Sequence, residues 1–200
     1  MKEIYFSVDV EADGPYPGDY SMVSIGAVAA GIFDLETKTY IRLDLDDPDN
    51  CFRADLKPIS STWLPDALAI SGYSREHFME NGQSPEVVMT EFASFVENTM
   101  ERHGAKYPVF AAFPLGFDWT FVYWYLCKFS QTGSPFGFSR HIDIKTEYAS
   151  SFNQPISRAS KMRMPKSIKS KRPHTHDPLD DAREQGELLM NILERRILDI

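Results

Sequence analysis

The sequence predicts a single α/β domain, a mixed β-sheet flanked by helices. Three observations carry that expectation. Apolar stretches of strand type and helix type alternate along the chain, in the order three strands, helices, strand, helix, short strand, helix. The 200 residues are 42% apolar and 25% charged, ordinary values for one domain with a sizeable core. Two of the helices carry strong start signals, and neither repeats nor long low-complexity segments interrupt the pattern.

Residues 4–8, Ile-Tyr-Phe-Ser-Val, are β-branched and aromatic and open the first strand. A Gly/Pro-rich loop follows at 14–19. Residues 22–33 read as a second, buried strand, and 39–45 alternate as a third. Two hairpin-linked strands after the first suggest an antiparallel meander. Residues 46–59 look loop-like, and 64–70 form a short helix candidate ended by Ser71-Gly72. Ser84-Pro85-Glu86 opens a strong helix, with a serine cap, proline at the first helical position and an acid in the first turn. Gly104 ends it. Residues 107–113 are a short apolar strand, 117–129 a helix and 141–144 a brief strand. The last helix runs from Pro178 to about Arg196, with Asp177 as its cap and Leu179, Ala182, Gly186, Leu189 and Leu193 as its inner stripe.

The net charge of −8 argues against a protein that coats nucleic acid regardless of sequence. The charge is uneven, however. Between Ser151 and His176 there is no acid, while seven of the 21 basic residues fall in those 26 positions. This basic loop, at about 153–175, suits local phosphate contact; a solvated surface loop is the plainer alternative. Cys51 and Cys127 have no ligand-type spacing and read as reduced, buried thiols. No stretch approaches the length of a membrane span, and no leader pattern precedes the first strand, so a cytoplasmic protein is expected.

The chemistry lies in three places. Asp9 and Glu11 end the first strand at alternate positions, so both point to one face, and Asp13 continues the alternation in turn context. Close carboxylates repel, and a divalent cation such as Mg²⁺ or Mn²⁺ offsets that cost; a strand running out into a polar turn is the alternative. Asp118 opens an apolar helix just after a buried strand, where an ordinary first-turn acid is also at home. In "HTHDPLDDAREQG", His176 precedes the last helix, and Asp181 lies five positions on, in its first turn, beside Ala182.

D-x-E at the end of the first strand, F-D opening a middle helix and H-x4-D opening a late one resemble the DEDDh 3′–5′ exonucleases. This is the family of ribonuclease T, oligoribonuclease and the bacterial polymerase proofreading subunit. The resemblance covers nearly the whole chain. Asp177 stands where the tyrosine-type branch carries its catalytic tyrosine, so that branch does not fit. The asparagine that many members place shortly before F-D is absent from Phe113-Pro114-Leu115-Gly116.

The resemblance implies a ribonuclease H-like mixed sheet, an antiparallel meander plus parallel strands, spanning 1–200 as one domain. It implies two divalent ions, Mg²⁺ or Mn²⁺, held by Asp9, Glu11, Asp118 and Asp181, with His176 as general base. The expected reaction releases nucleoside 5′-monophosphates from the 3′ end of single-stranded nucleic acid. RNA or short oligoribonucleotides are favoured and DNA is the other substrate class. A homodimer is expected by the same resemblance. A non-catalytic nucleic-acid-binding module on this fold is the competing reading; it predicts a damaged carboxylate set, and here the set is intact. His174 stands seven positions from Asp181 and is assigned to the loop. Ala12 and Met22, with the loop at 16–20, are candidates for the wall behind the terminal base. Trp119 is a candidate for stacking on a base, whereas Phe117 is expected in the core. Lys169, Lys171 and Arg172 are candidates for phosphate contact.

Overall fold

The computed structural model describes residues 1–198. Six strands form one sheet: β1 (Lys2–Ala12), β2 (Met22–Asp34), β3 (Thr39–Arg42), β4 (Cys51–Asp55), β5 (Tyr107–Ala112) and β6 (His141–Asp143). Their order is β3-β2-β1-β5-β6, with β4 also paired to β2. The β1–β2, β2–β3 and β2–β4 pairs are antiparallel; β1–β5 and β5–β6 are parallel. β2 is 13 residues long and takes β4 along Ser24–Val28 and β3 along Gly31–Asp34. Its residues from Met22 to Ile32 are buried, which explains the unbroken apolar run.

The helices are α1 (Pro65–Ser71), α2 (Arg75–Asn81), α3 (Pro85–His103), α4 (Leu115–Phe129), α5 (Ile144–Ser151) and α6 (Pro178–Leu198). Ser84 accepts from the Val87 N–H as the α3 cap, and Gly104 closes that helix at φ 60°. Asp177 accepts from the N–H groups of Leu179 and Asp180 and so caps α6. Both expectations from sequence hold. None of the described helices is long and apolar enough to cross a membrane.

The pleat of β1 decides where the chemistry goes. Ile4, Phe6, Val8 and Val10 share a core cluster with Val88, Phe92 and Val96 of α3 and Phe121 and Tyr125 of α4. The alternate residues face the other layer. Tyr5 packs with Leu188, Leu189, Ile192 and Leu193 of α6, and the Ser7 Cβ stands 3.3 Å from a Cβ built on Gly186. Asp9 and Glu11 continue that second stripe, so they emerge beneath the start of α6. Asp13 does not continue it. β1 ends at Ala12, and Asp13 lies in the bend beyond it, off the pleat.

Several sequence expectations need correction. The stretch at 46–59 contains β4, whose five residues include the charged Arg53 and Asp55 and carry no clear alternation. α2 and α5 were not expected; they are seven and eight residues long, too short for a periodic stripe to stand out. α4 begins at Leu115, two residues before the expected start. β3 ends at Arg42 instead of 45. Cys51 is half-buried and Cys127 exposed, where both were expected inside.

Candidate active site

Four acidic side chains from three elements meet at the end of β1. Asp9 and Glu11 lie opposite Gly26 and Ser24 of β2. A Cβ on Gly26 would stand 2.2 Å from the backbone of Pro178 and Leu179. Only a glycine there lets the start of α6 settle on β2 beside Asp9. Asp118, buried in the first turn of α4, accepts from the Val10 N–H at 3.0 Å. That bond ties α4 to the backbone between the two β1 acids. Asp181, 1% exposed, accepts from the N–H groups of Thr175 (2.8 Å) and His176 (3.1 Å), and the His174 Nδ1 lies 2.9 Å away. His176 has a left-handed backbone, φ 63°, and an exposed side chain.

The electrostatics follow from crowding. Burial raises the Asp9 carboxyl well above its ordinary range, and Asp118, Asp181 and Glu11 push it further. Glu11 is raised to about 7, by burial first and then by Asp181 and Asp177. Asp118 is raised to about 7 by burial, with the Val10 N–H working in the opposite direction. Hard oxygen donors that resist ionising beside one another suit a hard divalent cation.

Two residues that sequence reasoning missed complete the arrangement. Gln185 Nε2 donates to Asp9 at 2.6 Å, while its Oε1 accepts from the Phe113 N–H at 2.9 Å. It thereby joins β1, the end of β5 and α6. Its one signal in the sequence is a place four residues after Asp181, on the same helical face. Lys161, from the basic segment, pairs with the buried Glu184 and stands 5.2 Å over the Phe113 ring. Its charge lowers the ionisation cost of both Asp9 and Asp118. No motif marks it.

The other sequence-picked residues divide. Ala12 and Met22 are buried in the core, and the Met22 N–H donates to the Tyr125 hydroxyl at 2.8 Å. Trp119 is half-buried and packs on Phe110, Tyr123 and His141, with centroids 5.0, 4.8 and 4.8 Å away. Phe117, expected inside, is 39% exposed beside Asp118. Phe117 thus departs from the core position expected of it, though it still packs on Phe121, while Trp119 is only partly covered. Asp13 is fully buried and bound to Arg75 and the Ser21 N–H, so a local cation partners it, although burial still holds its carboxyl above the ordinary range. Lys161, Lys169 and Arg172 line a groove of about 270 Å³ against Glu184 and Leu188 of α6. Within the segment the Lys169 ammonium donates to the Met162 carbonyl, the Lys171 N–H donates to Glu187, and Arg172 forks onto Asp46 at 2.7 and 2.9 Å. His174, assigned to the loop, touches Asp181.

A mixed sheet with antiparallel and parallel strands, helices on both faces and four acids gathered at the end of its first strand is a ribonuclease H-like arrangement. No family model matches the chain. It is 34% identical over 203 residues to the 3′-5′ DNA exonuclease Cap18 of Escherichia coli, covering 99% of this chain and 97% of that protein. It is similar in fold to the nuclease domain of 3′hExo, a DEDDh family member bound to rAMP: TM-score 0.63, 15% identity, 99% of this chain and 92% of that one. Escherichia coli exonuclease I in complex with a dT13 oligonucleotide gives a TM-score of 0.60 at 13% identity, over 100% of this chain and 43% of that one. The chain belongs to the DEDDh 3′–5′ exonuclease family, and is a hydrolase of nucleic acid.

Proposed function

We propose that the protein removes nucleotides one at a time from the 3′ end of single-stranded DNA, with two divalent ions, Mg²⁺ or Mn²⁺, as cofactors. The convergence of Asp9, Glu11, Asp118 and Asp181, three of them pushed toward protonation, carries this reading. Asp9, Glu11, Asp118 and Asp181 would hold the ions, which would supply charge stabilisation to the attacking and leaving oxygens of an in-line displacement at phosphorus.

The protein's own groups do the rest. Gln185 fixes the rotamer of Asp9. Thr175 and His176 hold both oxygens of Asp181 through their N–H groups, so the acid and the His176 ring are positioned by one turn. The His176 imidazole, exposed at the rim, takes the proton of the attacking water. The bond from phosphorus to the 3′-oxygen breaks, and the released nucleotide keeps its 5′-phosphate. Phe117, exposed next to Asp118, offers a ring to a base, and stacking of that kind contributes about 1–3 kcal/mol per base.

The family resemblance read from the motifs favours RNA or short oligoribonucleotides, while the sequence itself does not settle RNA against DNA. The full-length relative at 34% identity is named for DNA, and that likeness moves the proposal to DNA. The test is a gel of 5′-labelled single-stranded DNA and RNA of one sequence, with Mg²⁺, Mn²⁺ or EDTA, for wild type and Asp9→Ala. A metal-dependent ladder shortening from the 3′ end, faster on DNA and absent in the variant, is expected. A faster RNA ladder would overturn the substrate assignment; a ladder in EDTA or in Asp9→Ala would overturn the metal roles.

A further inference from the structure

His174, His176 and Asp181 bring one ring nitrogen each from the histidines and one carboxylate oxygen within 4.8 Å of one another. The donor chemistry differs from that of the carboxylate cleft. The two imidazoles, separated by Thr175, meet edge to face with centroids 4.6 Å apart, and both are exposed. Beneath them Asp181 is held at both oxygens by the N–H groups of Thr175 and His176. The left-handed backbone at His176 bends the segment over that carboxylate.

We propose that these three side chains form a site for a borderline-soft divalent ion, Zn²⁺ above all, and that its occupancy stops hydrolysis. Imidazole nitrogen selects Zn²⁺, Ni²⁺ or Cu²⁺ over Mg²⁺, which prefers oxygen and keeps its waters. Tetrahedral Zn²⁺ with bonds near 2.0–2.1 Å sets its donors about 3.3 Å apart. The present separation of up to 4.8 Å therefore closes by about 1.5 Å at most, which rotation of two exposed rings supplies. His174 is the residue that makes this set. Without it, His176 and Asp181 give two donors, one short of the three protein ligands that an open zinc site completes with a water.

The effect on activity rests on the function proposed above. An ion at this site takes the lone pair with which His176 would accept a proton, and it draws on the Asp181 oxygens needed by the cleft. Zinc would then act against magnesium without occupying the same set of donors.

The test pairs two measurements on wild type and His174→Gln, a change that keeps an N–H donor near Asp181. The first is calorimetric titration of Zn²⁺ into the full chain in saturating Mg²⁺, with no nucleic acid present. The second is hydrolysis of 5′-labelled single-stranded DNA against rising Zn²⁺, each protein normalised to its own rate in Mg²⁺ alone. Binding at least tenfold weaker in the variant, with inhibition shifted tenfold to higher Zn²⁺, is expected. Equal affinity in the two proteins would overturn the site. Weaker binding with unshifted inhibition would overturn the inhibitory role. Zinc binding that depends on His174, in a protein that cleaves neither DNA nor RNA, would support the site and sink the nuclease mechanism instead.

Discussion

Glu11 offers the sharpest check on the electrostatics of the cleft. Its carboxyl is raised from 4.5 to about 7, first by burial and then by Asp181 and Asp177. A group whose folded pKa lies above its unfolded one binds more protons in the native state between those two values. Its contribution to stability is therefore fully present below 4.5 and is lost as pH rises through about 7. At about 1.4 kcal/mol per pH unit, forcing Glu11 to ionise at pH 8 costs the metal-free fold at most about 3 kcal/mol.

Glu11→Gln removes that cost while keeping the shape. For a chain of this length, 1 kcal/mol moves Tm by about 2–4 °C. In EDTA at pH 8 the variant should melt up to about 6–12 °C above wild type, and at pH 4.5 the two should coincide. Mg²⁺ should stabilise wild type more at pH 8 than at pH 5, and the variant less than wild type at pH 8. The assay is thermal unfolding followed by circular dichroism at both pH values, with EDTA or Mg²⁺. A variant no more stable than wild type at pH 8 in EDTA would refute the crowding argument. Activity should be lost in the same variant, so the residue trades stability for function.

Three other expectations follow from single contacts. Gln185→Leu leaves the Phe113 N–H unpaired and Asp9 unanchored, so it should cost about 1–3 kcal/mol in urea unfolding and raise the half-saturating Mg²⁺ concentration several-fold. Asp13→Ala strands Arg75, whose side chain is 11% exposed, and should cost about 3–5 kcal/mol, yet leave kcat per folded molecule unchanged, unlike Asp9→Ala. Replacing Lys169, Lys171 and Arg172 with glutamine should raise KM and flatten the log–log salt dependence. Each phosphate contact contributes about 0.7 to that slope on a single strand, and Arg172 is already engaged by Asp46, so a change near 1.4 is expected rather than 2.1; an unchanged slope would exclude the segment from substrate contact.

The legible parts of the fold are those where periodicity and chain ends agree. β1 and β2 are long apolar runs, α3 has Ser84, Pro85 and Gly104 at its ends, and α6 has Asp177 and Pro178. β4 draws its order from the free edge of β2, whereas α2 and α5, capped at Ser74 and Asp143, are too short for a periodic stripe to confirm their caps. In the cleft, Asp9, Glu11, Asp118 and Asp181 are legible because each sits at the junction of an apolar element and a turn. Gln185 and Lys161 are not, because their partners lie on other elements, and only the packed chain brings Gln185 to Asp9 or Lys161 to the acids. Phe117 departs from its expected core position for a narrower reason. Adjacent helical residues differ by about 100° in direction, and the pattern of apolar residues in α4 is too uniform to fix its phase.

Asp13 shows how little separates a ligand from a structural acid. In the sequence it extends the Asp9–Glu11 alternation without a break. The strand ends at Ala12, the bend beyond it takes Asp13 off that stripe, and Arg75 at the start of α2 meets it there. Arg75 also donates to the Ser60 carbonyl, and the Asp13 carbonyl accepts from the Leu64 N–H, so the buried pair fastens the loops after β1 and β4 to one another. A fixed internal cation and an exchangeable one thus serve neighbouring acids of the same run. Burial still leaves the Asp13 carboxyl raised, but every neighbour that acts on it, Arg75 first among the charges, works to lower it. At Asp9 and Asp118 neighbouring carboxylates add to burial and Lys161 offsets them only in part, and that repulsion gives an added divalent ion something to relieve.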